Sequence, residues 1–559
     1  MPETTLPYIL GVSASSHDAA AAMLQGGRMV AAIEEEKLSR VRRTHGLPQQ
    51  AIRYCLGQAG LRAADIPFVA VARPLRDRAR GSQLAETWIP AWLKTEFPSA
   101  KIILVDHHAC HAAAAFYPSP FERALVLVLD ESGDGKSASL SLGSGLDIEP
   151  LSDATFPDSL GNLFSRVAAL AGFASFGDEH KLQWLSTAGT PRYSEVFRNI
   201  LEMQPGALLR VDQSYLLAGG GARGGFAGKF FEACELPLSG EFTEMQRADL
   251  AASLQWVVNE TVELMAGAHL QGTESGNLCL GGGVALNSLL ISHLESSTKF
   301  GGVFVQPAAG NAGNAVGAAL HCAHQQLRLA SRTPLDHLFF GPEFSDEAIK
   351  DVLENSKLSF RYLPQRKDII AAAVDVLKSD KMLGWFQGRA EFGPRALGAR
   401  SILASPLGQY VNENLNQYVK HREKYRPFAA AVPEESASEY FEFSGSARFL
   451  TSVGRVKQKH LDRFASNLLV AQSEPGSTEG TPEGTMENRI RVQIVSKVSN
   501  RYLWDLLNAF EKATGVPVLF NTSFNLFGEP LVCSPRDAIR SFYCSGLDHL
   551  MIGPFSLAK

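Results

Sequence analysis

Two segments of the chain repeat one order of short strands and turns, and this repeat is the feature that most constrains the fold. The segments YILGVSASSHDAAAAMLQGGRMVAAIEEE, from Tyr8, and ALVLVLDESGDGKSASLSLGSGLDIEPLS, from Ala124, each give strand, polar turn, strand, glycine turn and strand. Period-2 alternation broken by glycine turns predicts a β-meander in both. The repeat therefore predicts a duplicated α/β core, with a chance likeness between two segments of an α/β protein as the alternative.

Length and the alternation of predicted elements favour two α/β domains. A chain of 559 residues exceeds what one hydrophobic core usually organises. The segment Ser331–Glu343 has two prolines and no regular period, so we expect domains at 1–335 and 345–559. Apolar periods predict helices at Pro48–Gly60, Leu84–Glu96, Gln246–Leu270, Asp346–Asn355, Asp368–Ser379, Arg501–Thr514 and Pro535–Ser545. Composition predicts a mobile loop at Ala471–Glu487.

Charge and composition exclude several classes of function. A net charge of −5 argues against a nucleic-acid partner, and no apolar run approaches the length that spans a bilayer. The first residues lack the basic start and apolar block of a signal peptide. The seven cysteines have no metal-like or redox spacing, so we expect reduced thiols in a cytoplasmic protein.

Two histidines and a carboxylate give a candidate metal site. His107 and His111 lie four residues apart at the start of the predicted helix HHACHAAAAFY, so both rings project from one face. Asp130 ends the apolar strand ALVLVL, and Asn311 follows the glycine-containing PAAG. Two imidazoles and a carboxylate suit Fe2+, Mn2+ or Zn2+ with open positions, where an ion can polarise a carbonyl oxygen. A structural histidine pair and a turn-capping aspartate are the alternatives.

Glycine loops and a further histidine complete the candidates in the first half. Backbone amides in such loops cradle phosphate groups. The candidate loops NLCLGGGVALNS and PAAGNAG contain Gly281, Gly282, Gly283, Asn287, Gly310 and Gly313. His17 beside Asp18 suits a general base with its orienting carboxylate, with a solvated turn as the alternative.

Arginines among glycines indicate a second anion site in the C-terminal half. Gly388–Ser401 reads GRAEFGPRALGARS, a rigid loop that would fix Arg395 and Arg400 for a purpose. Arg and Lys suit phosphate, and Ser and Asn supply uncharged hydrogen bonds. The other candidates are Lys420, Arg422, Arg491, Asn521, Ser523 and Asn525. A solvated helix face explains KHREKYR equally well. Two anion sites suggest that one half activates a group that the other half uses.

The ordered motifs resemble those of the NodU/CmcH-type O-carbamoyltransferases of antibiotic and nodulation-factor biosynthesis. The likeness runs through most of both halves. Its specific parts are VDHHACHAAAAF, LCLGGGVALNS, PAAGNAGNAVGAA, FQGRAEFGPRALGARSILASP, KHREKYRPFA, RVQIV, TGVPVLFNTSFNLFGEP and SGLDHLMIG. So many matches in one order argue against chance.

The resemblance implies a fold and a reaction. It implies an N-terminal actin-like ATPase domain, built as a duplicated ribonuclease H-like unit, and a C-terminal YrdC-like α/β domain. The C-terminal domain would convert ATP, with Mg2+, and carbamoyl phosphate to carbamoyl-adenylate. The N-terminal domain would transfer the carbamoyl group, assisted by Fe2+ or another divalent metal, to a small natural product. The acceptor group would be a hydroxyl rather than an amine.

The resemblance also assigns residues by motif. His107, His111 and Asp130 match the family's metal ligands, Asn311 stands where its fourth ligand is usually Asp, and His17 matches its base. Lys420-x-Arg422 and Ser523-x-Asn525 match the pattern of YrdC-like sites. The chain departs from the family at DEHKLQWLSTAG, from Asp178, where a glycine is lost, and at Glu131, which replaces a glycine. These changes suggest an unusual acceptor.

Two other functions stay open at the level of sequence. A sugar-kinase-like phosphotransferase explains the duplicated core and leaves the C-terminal half unexplained. A nucleotide-binding module without turnover would result if Asn311 abolished the metal chemistry. The sequence names neither the acceptor nor the oligomeric state, for which a homodimer is one expectation.

Overall fold

The structure is a computed structural model of the chain. It describes residues 6–74, 82–173, 177–202, 208–218, 221–270, 275–408, 411–464, 468 and 488–559. The predicted loop Ala471–Glu487 lies outside these ranges. Among the residues described, we find no helix with both the length and the hydrophobicity that crossing a membrane requires.

The first half of the chain alternates strands and helices. Its strands are β1 (Tyr8–Ser13), β2 (Ala20–Gln25), β3 (Arg28–Glu34), β4 (Phe68–Ala72), β5 (Lys101–Val105), β6 (Arg123–Gly133), β7 (Lys136–Ser144), β8 (Asp147–Thr155), β9 (Leu201–Glu202), β10 (Arg210–Val211), β11 (Asn277–Gly281) and β12 (Gly302–Val305). Its helices are α1 (Glu35–Ser39), α2 (Gln49–Ala59), α3 (Ser82–Glu96), α4 (His107–Phe116), α5 (Leu160–Leu170), α6 (Glu179–Leu185), α7 (Ser194–Ile200), α8 (Gly228–Ala233), α9 (Glu244–Leu270), α10 (Ser288–Ser296) and α11 (Gly313–His321).

Two sheets in this half share one topology. The first has the order β3-β2-β1-β4-β5 and the second, read from its other edge, has β8-β7-β6-β11-β12. In each sheet the opening meander is antiparallel, and the later two strands run parallel to the first strand of that meander. The predicted meanders and the duplicated core are therefore confirmed, and this arrangement is the one that the actin-like resemblance implies.

Helices α4 and α11 pack between the two sheets. Helix α11 contacts β1, β2 and β4, α4 contacts β6, β7 and β11, and the helices contact each other. Small side chains permit this close approach, because alanine and glycine dominate both sequences, HHACHAAAAF and GNAVGAALH. Asp106 caps α4 by accepting a hydrogen bond from the Ala109 amide at 3.1 Å. The packing holds the N-terminal turns of both helices next to each other.

The C-terminal half is built on a ten-stranded mixed sheet in the described part of the chain. The sheet has the order β13-β22-β21-β14-β15-β20-β16-β19-β18-β17. Its strands are β13 (Arg361–Tyr362), β14 (Leu383–Phe386), β15 (Arg400–Ala404), β16 (Ala429–Pro433), β17 (Phe441–Glu442), β18 (Gly454–Val456), β19 (Arg489–Val495), β20 (Leu519–Ser523), β21 (His549–Ile552) and β22 (Phe555–Ala558). The helices are α12 (Asp346–Asn355), α13 (Arg366–Lys378), α14 (Val411–Asn414), α15 (Glu434–Tyr440), α16 (Leu461–Phe464), α17 (Arg501–Thr514) and α18 (Pro535–Tyr543).

The predicted elements agree with the structure to within a few residues. Helices α12 and α17 have the predicted bounds, and the others begin or end one or two residues away. The segment Ser331–Glu343 contains neither helix nor strand, while the domain boundary placed there stays a prediction. The C-terminal half is α/β as expected, and its YrdC-like assignment also stays a prediction.

We predict that Gly317→Ala destabilises the protein by about 1–3 kcal/mol, because a side chain there overpacks the contact between α11 and α4. A Cβ atom at Gly317 would lie 1.9 Å from the carbonyl oxygen of Cys110. Chemical denaturation measures the loss. Gly57→Ala on α2 is the control, since a Cβ there meets nothing within 4 Å. Equal stability of both variants would contradict the packing argument.

Candidate active site

The predicted metal ligands converge at the N-terminus of α4. His107 Nε2 lies 2.9 Å from Asp130 Oδ2 and 3.1 Å from His111 Nε2, and His111 Nε2 lies 3.5 Å from the same carboxylate oxygen. The helical spacing places the two imidazoles on one face, and the carboxyl end of β6 carries Asp130 to them. These side chains form the one group of three metal-ligating residues within the described ranges.

Burial and the hydrogen bonds within this group have opposite effects on its charges. Burial opposes the charge on Asp130, yet hydrogen bonds from His107 and His111 hold the pKa of that carboxyl well below its ordinary value. Burial also opposes charge on His107, and the bond to Asp130 outweighs it and raises the His107 pKa. Burial lowers the pKa of His111. The carboxylate therefore favours the protonated form of His107, whereas burial favours the neutral form of His111.

The donor set fits a divalent ion. Metal–ligand bonds of about 2.1 Å bring neighbouring ligand atoms to separations of roughly 3 Å, as found here. His107 Nδ1 donates to the carbonyl of Arg73 at 2.9 Å, so its ring is oriented from behind as metal-bound histidines usually are. Asn314 Nδ2 lies 3.1 Å from His111 Nε2, and its buried Oδ1 has no hydrogen-bond partner among the residues described. That orphan oxygen is a further acceptor beside the ligands.

The amide of Asn311 contacts the predicted base. Its Nδ2 lies 3.1 Å from His17 Nε2, and His17 Nδ1 lies 2.8 Å from Asp18 Oδ2. The hydrogen bond between Nδ1 and the carboxylate orients the ring and leaves Nε2 directed toward Asn311. Burial opposes ionisation of Asp18, but the bond to His17 and nearby arginines lower its pKa. The pair has the orientation that a general base requires, and the role of Asn311 as a ligand stays a prediction.

A cavity of about 400 Å³ lies between the two halves. The N-terminal half lines it with His17, Asp130 and Asn311, and the backbone of Gly283 and Gly310 adds to this wall. The amide of Gly283 donates to Asp130 Oδ1 at 3.1 Å, which ties the glycine loop to the metal ligands. The lining residues of the C-terminal half, which we call the C-terminal wall, include four arginines: Arg395, Arg422, Arg426 and Arg491.

Cationic groups crowd the C-terminal wall. Burial, together with the charge of the neighbouring Arg426, lowers the pKa of Arg395 to about 10 and that of Arg422 to about 9. Burial and the same neighbours hold the pKa of Arg491 well below its ordinary value. Arg422 Nη2 and both Nε and Nη2 of Arg491 have no hydrogen-bond partner in the described part of the chain. This wall is built to receive an anion.

Lys420 braces the turn that carries two other predicted residues. Its Nζ donates to the carbonyls of Ser523 and Asn525, at 2.6 and 3.1 Å, and to Asn525 Oδ1 at 2.7 Å. Ser523 Oγ donates to the same amide oxygen at 2.7 Å. Ser523 lines the cavity, whereas Lys420 and Asn525 lie behind it. In this arrangement Lys420 holds the turn, and its predicted catalytic role is not tested.

Arg400 has a place different from the predicted one. It is fully buried, and its guanidinium donates to the carbonyls of Gln387, Gly388 and Pro342 and stacks on Phe386. It does not line the cavity. In this glycine-rich loop Arg395 therefore lines the cavity, whereas the hydrogen bonds of Arg400 hold the loop in place. We leave Arg400 out of the residues proposed to bind the anion.

Three predicted glycines, Gly281, Gly282 and Gly313, shape the site without lining the cavity, and Asn287 supports it with hydrogen bonds. A Cβ atom at Gly282 would lie 2.1 Å from the Leu129 carbonyl, and one at Gly313 would lie 2.1 Å from that of Ala308. A Cβ at Gly281 would lie 2.9 Å from the His111 carbonyl. Asn287 lines the cavity in part, while its Oδ1 caps α10 and its Nδ2 donates to Gln255. These residues position the loops by close packing.

Sequence reasoning missed several residues that line the cavity. Arg42 and Arg43 reach it from the loop after α1. Glu131 lines it from the second sheet, and Glu179 and His180 line it from α6; from the sequence, Glu131 and this segment stand out only as departures from the family. The run RVRR was a usable signal for the two arginines. His180 Nδ1 donates to the Gly177 carbonyl at 2.8 Å. Burial and Arg426 lower its pKa to about 3, so it stays neutral.

The fold and the site define an α/β enzyme with a metal-ligand group and an anion site on one cavity, and comparisons with known proteins specify the class. The family model described as Carbamoyltransferase N-terminus matches residues 8–89 and 70–320, and the one described as Carbamoyltransferase C-terminus matches 374–559. Nodulation protein NolNO of Sinorhizobium fredii is 36% identical over 97% of this chain and 79% of its own. The chain belongs to the carbamoyltransferase family and is an enzyme of that class.

Other relatives extend the comparison. Nodulation protein NolO of Bradyrhizobium diazoefficiens is 36% identical over 81% of this chain and 79% of its own, and an uncharacterized protein of Synechocystis is 33% identical over 99% and 97%. Among solved structures, T. kodakarensis HypF covers 59% of this chain and 49% of its own at 14% identity, with a TM-score of 0.35. This TM-score is too low to support a fold assignment, which rests instead on the strand order of the two sheets in the first half.

We predict that His111→Ala weakens Zn2+ binding by roughly tenfold or more, because it removes a ligand. Binding also weakens as the pH falls, since the raised pKa of His107 means that the ion must displace a proton there. Calorimetry in buffers of different ionisation enthalpy measures both the affinity and the proton release. His293→Gln, which removes a half-buried imidazole paired with Glu263, is the control. Equal affinity in wild type and His111→Ala would contradict the assignment.

We further predict that Asn311→Asp tightens Zn2+ binding, because a carboxylate binds a divalent cation more strongly than a neutral amide. Asn311 lines the same cavity as Asp130 and contacts His17, so the substitution adds a carboxylate to the cavity that the ligand group lines. The same calorimetry tests this change. An unchanged affinity would remove Asn311 from the ligand shell.

Proposed function

We propose that this enzyme makes carbamoyl-adenylate from carbamoyl phosphate and ATP and transfers the carbamoyl group to a hydroxyl of a small natural product. The observation that carries the proposal is the cavity that both halves line, to which the N-terminal half contributes Asp130 and His17 and the C-terminal half four arginines. A site of this kind brings an activated donor and a nucleophile into one space. The relatives' family and the shared motifs support the carbamoyl group as the one transferred.

The arginine wall supports the first half-reaction. Water hydrolyses carbamoyl phosphate to carbamate and phosphate, and a carbamate oxygen then attacks the α-phosphorus of ATP as pyrophosphate leaves. Catalysis of phosphoryl and nucleotidyl transfer is mainly positioning and charge stabilisation. Arg422 and Arg491 have N–H groups without partners, and bonds to phosphate oxygens would satisfy these groups and relieve the repulsion among the arginines. Adenylation turns a poor electrophile into one with a good leaving group.

The N-terminal wall supports the transfer. The acceptor hydroxyl would take the place of the Asn311 amide at His17 Nε2 and give its proton to that nitrogen, which the bond between Nδ1 and Asp18 orients. The hydroxyl oxygen bonds to the carbamoyl carbon, the bond from that carbon to the adenylate oxygen breaks, and AMP leaves. A divalent ion bound by His107, His111 and Asp130 would supply Lewis-acid polarisation of the carbamoyl oxygen. The shared cavity limits hydrolysis of the labile adenylate.

We predict that Arg422→Ala abolishes pyrophosphate release that depends on carbamoyl phosphate, because the pyrophosphate-forming step loses its cation. His107→Ala should retain this release and lose transfer to acceptors, because it damages only the metal-ligand group. Pyrophosphate release without acceptor measures the first step. Mass spectrometry with a panel of hydroxylated natural products measures the second.

One control variant serves both steps, and two outcomes would contradict the proposal. Arg501→Ala removes an exposed arginine that pairs with Asp505 on α17, and it should leave both steps unchanged. If His107→Ala stopped pyrophosphate release as completely as Arg422→Ala, the division of labour between the halves would be wrong. Release of ADP instead of pyrophosphate and AMP would favour a phosphotransferase.

A further inference from the structure

We propose that Asn521 recognises the amino group of the carbamoyl substrate through its Oδ1 atom, an inference that rests on the proposed function. Asn521 lies on β20, is 2% exposed and lines the cavity. Its Oδ1 has no hydrogen-bond partner within the described ranges of the chain. Buried polar side-chain atoms nearly always have a partner, so a ligand is the natural source of the missing donor.

The orientation of the Asn521 amide is set by its neighbours. Its Nδ2 donates to Gln493 Oε1 at 2.6 Å and to the Ala396 carbonyl at 3.1 Å. Gln493 Nε2 donates in turn to the Leu397 carbonyl at 2.8 Å, so Gln493 presents its oxygen to Asn521. Flipping either amide would break these bonds. Oδ1 of Asn521 is therefore held as an acceptor.

An acceptor is rare on this wall of the cavity. Ala429 pairs with Arg491 on one side and with Asn521 on the other, so these two side chains are near neighbours on one face of the sheet. Arg395 and Arg422 line the same cavity, and a guanidinium only donates hydrogen bonds. Such groups bind phosphate oxygens and the carbamoyl oxygen, but they cannot bind an amino group.

The carbamoyl group is the part of the substrates that is best placed to donate a hydrogen bond to Asn521 Oδ1. In carbamoyl phosphate and in carbamoyl-adenylate, one oxygen separates its carbon from phosphorus. The amino group of the carbamoyl moiety must therefore lie close to the arginines that hold the phosphate. The amino group of adenine is separated from the α-phosphate by the whole ribose. Asn521 lies beside Arg491 and is therefore placed to contact the carbamoyl end of the substrate.

The bond to Asn521 would confer selectivity that size alone does not. Acetyl phosphate replaces the amino group by a methyl group of similar size. A cavity discriminates poorly between such groups by shape, whereas a site that hydrogen-bonds an N–H strongly disfavours the analogue that lacks it. We therefore expect the wild-type enzyme to prefer carbamoyl phosphate over acetyl phosphate in adenylate formation.

The test compares the two acyl phosphates as substrates for pyrophosphate release from ATP. Asn521→Leu removes the acceptor and should lower the ratio of kcat/KM for carbamoyl phosphate to that for acetyl phosphate by roughly 10–100-fold, with the KM for ATP unchanged. Asn521→Asp keeps an acceptor oxygen but loses the donor to Gln493. It should lower the rates with both substrates and largely retain the ratio.

The control is Asn500→Ala, since Asn500 donates to the same Leu397 carbonyl and does not line the cavity. It should leave the ratio unchanged. A ratio that stays constant in Asn521→Leu, that falls equally in Asn521→Asp, or that falls only through a higher KM for ATP would overturn the inference. Absence of any pyrophosphate release with carbamoyl phosphate in the wild type would instead overturn the proposed function, and the inference with it.

Discussion

The cavity depends on a buried lysine that joins the two halves of the chain. Lys37, which is 2% exposed, lies 2.8 Å from Glu34 Oε2 and donates to the carbonyls of Glu391 and Gly393 at 2.8 and 2.9 Å. Glu34 Oε1 accepts a hydrogen bond from the Gly393 amide at 2.7 Å. Removing one partner of a buried ion pair costs about 3–5 kcal/mol. The loop from Gly388 to Ser401 is therefore fixed against the first sheet.

This loop owes its rigidity to charged groups that never reach the cavity. Glu391 Oε1 accepts from the amides of Leu397, Ala399 and Arg400 at 2.7–3.2 Å, and Arg400 donates to carbonyls on both sides of the loop. Arg389, the third arginine of this loop, donates to the carbonyls of Gly341 and Phe340, so Arg395 is the one of the three that lines the cavity. A catalytic side chain gains precision when its support is itself fully bonded. Within this one loop, some charged residues hold the loop in place, whereas Arg395 lines the cavity where a ligand would bind.

Much of the fold and part of the site could be predicted from the sequence, for physical reasons. The meanders and helices follow local periodicity, and the metal-ligand group follows from a helical spacing and a strand end. The order of the ten-stranded sheet joins residues such as Leu383 and His549, which are far apart in sequence, so no local pattern encodes it. Arg400 and Arg395 have the same local signature, and only the tertiary contacts separate their roles.

The charge pattern around the cavity explains why its arginines stay available. Lys181 from the N-terminal half lies 3.0 Å from Asp178 and 3.5 Å from Glu423, so the acid nearest to Arg426 in sequence is shared with a second cation. Arg422 is held through its Nε by the neutral amide of Asn416, at 2.7 Å. Because Asn416 is uncharged and Glu423 is shared with Lys181, these partners position the arginines without cancelling their positive charge. Because burial disfavours their charge, an incoming polyphosphate removes both repulsion and unsatisfied donors, and this favours a substrate with several negative charges.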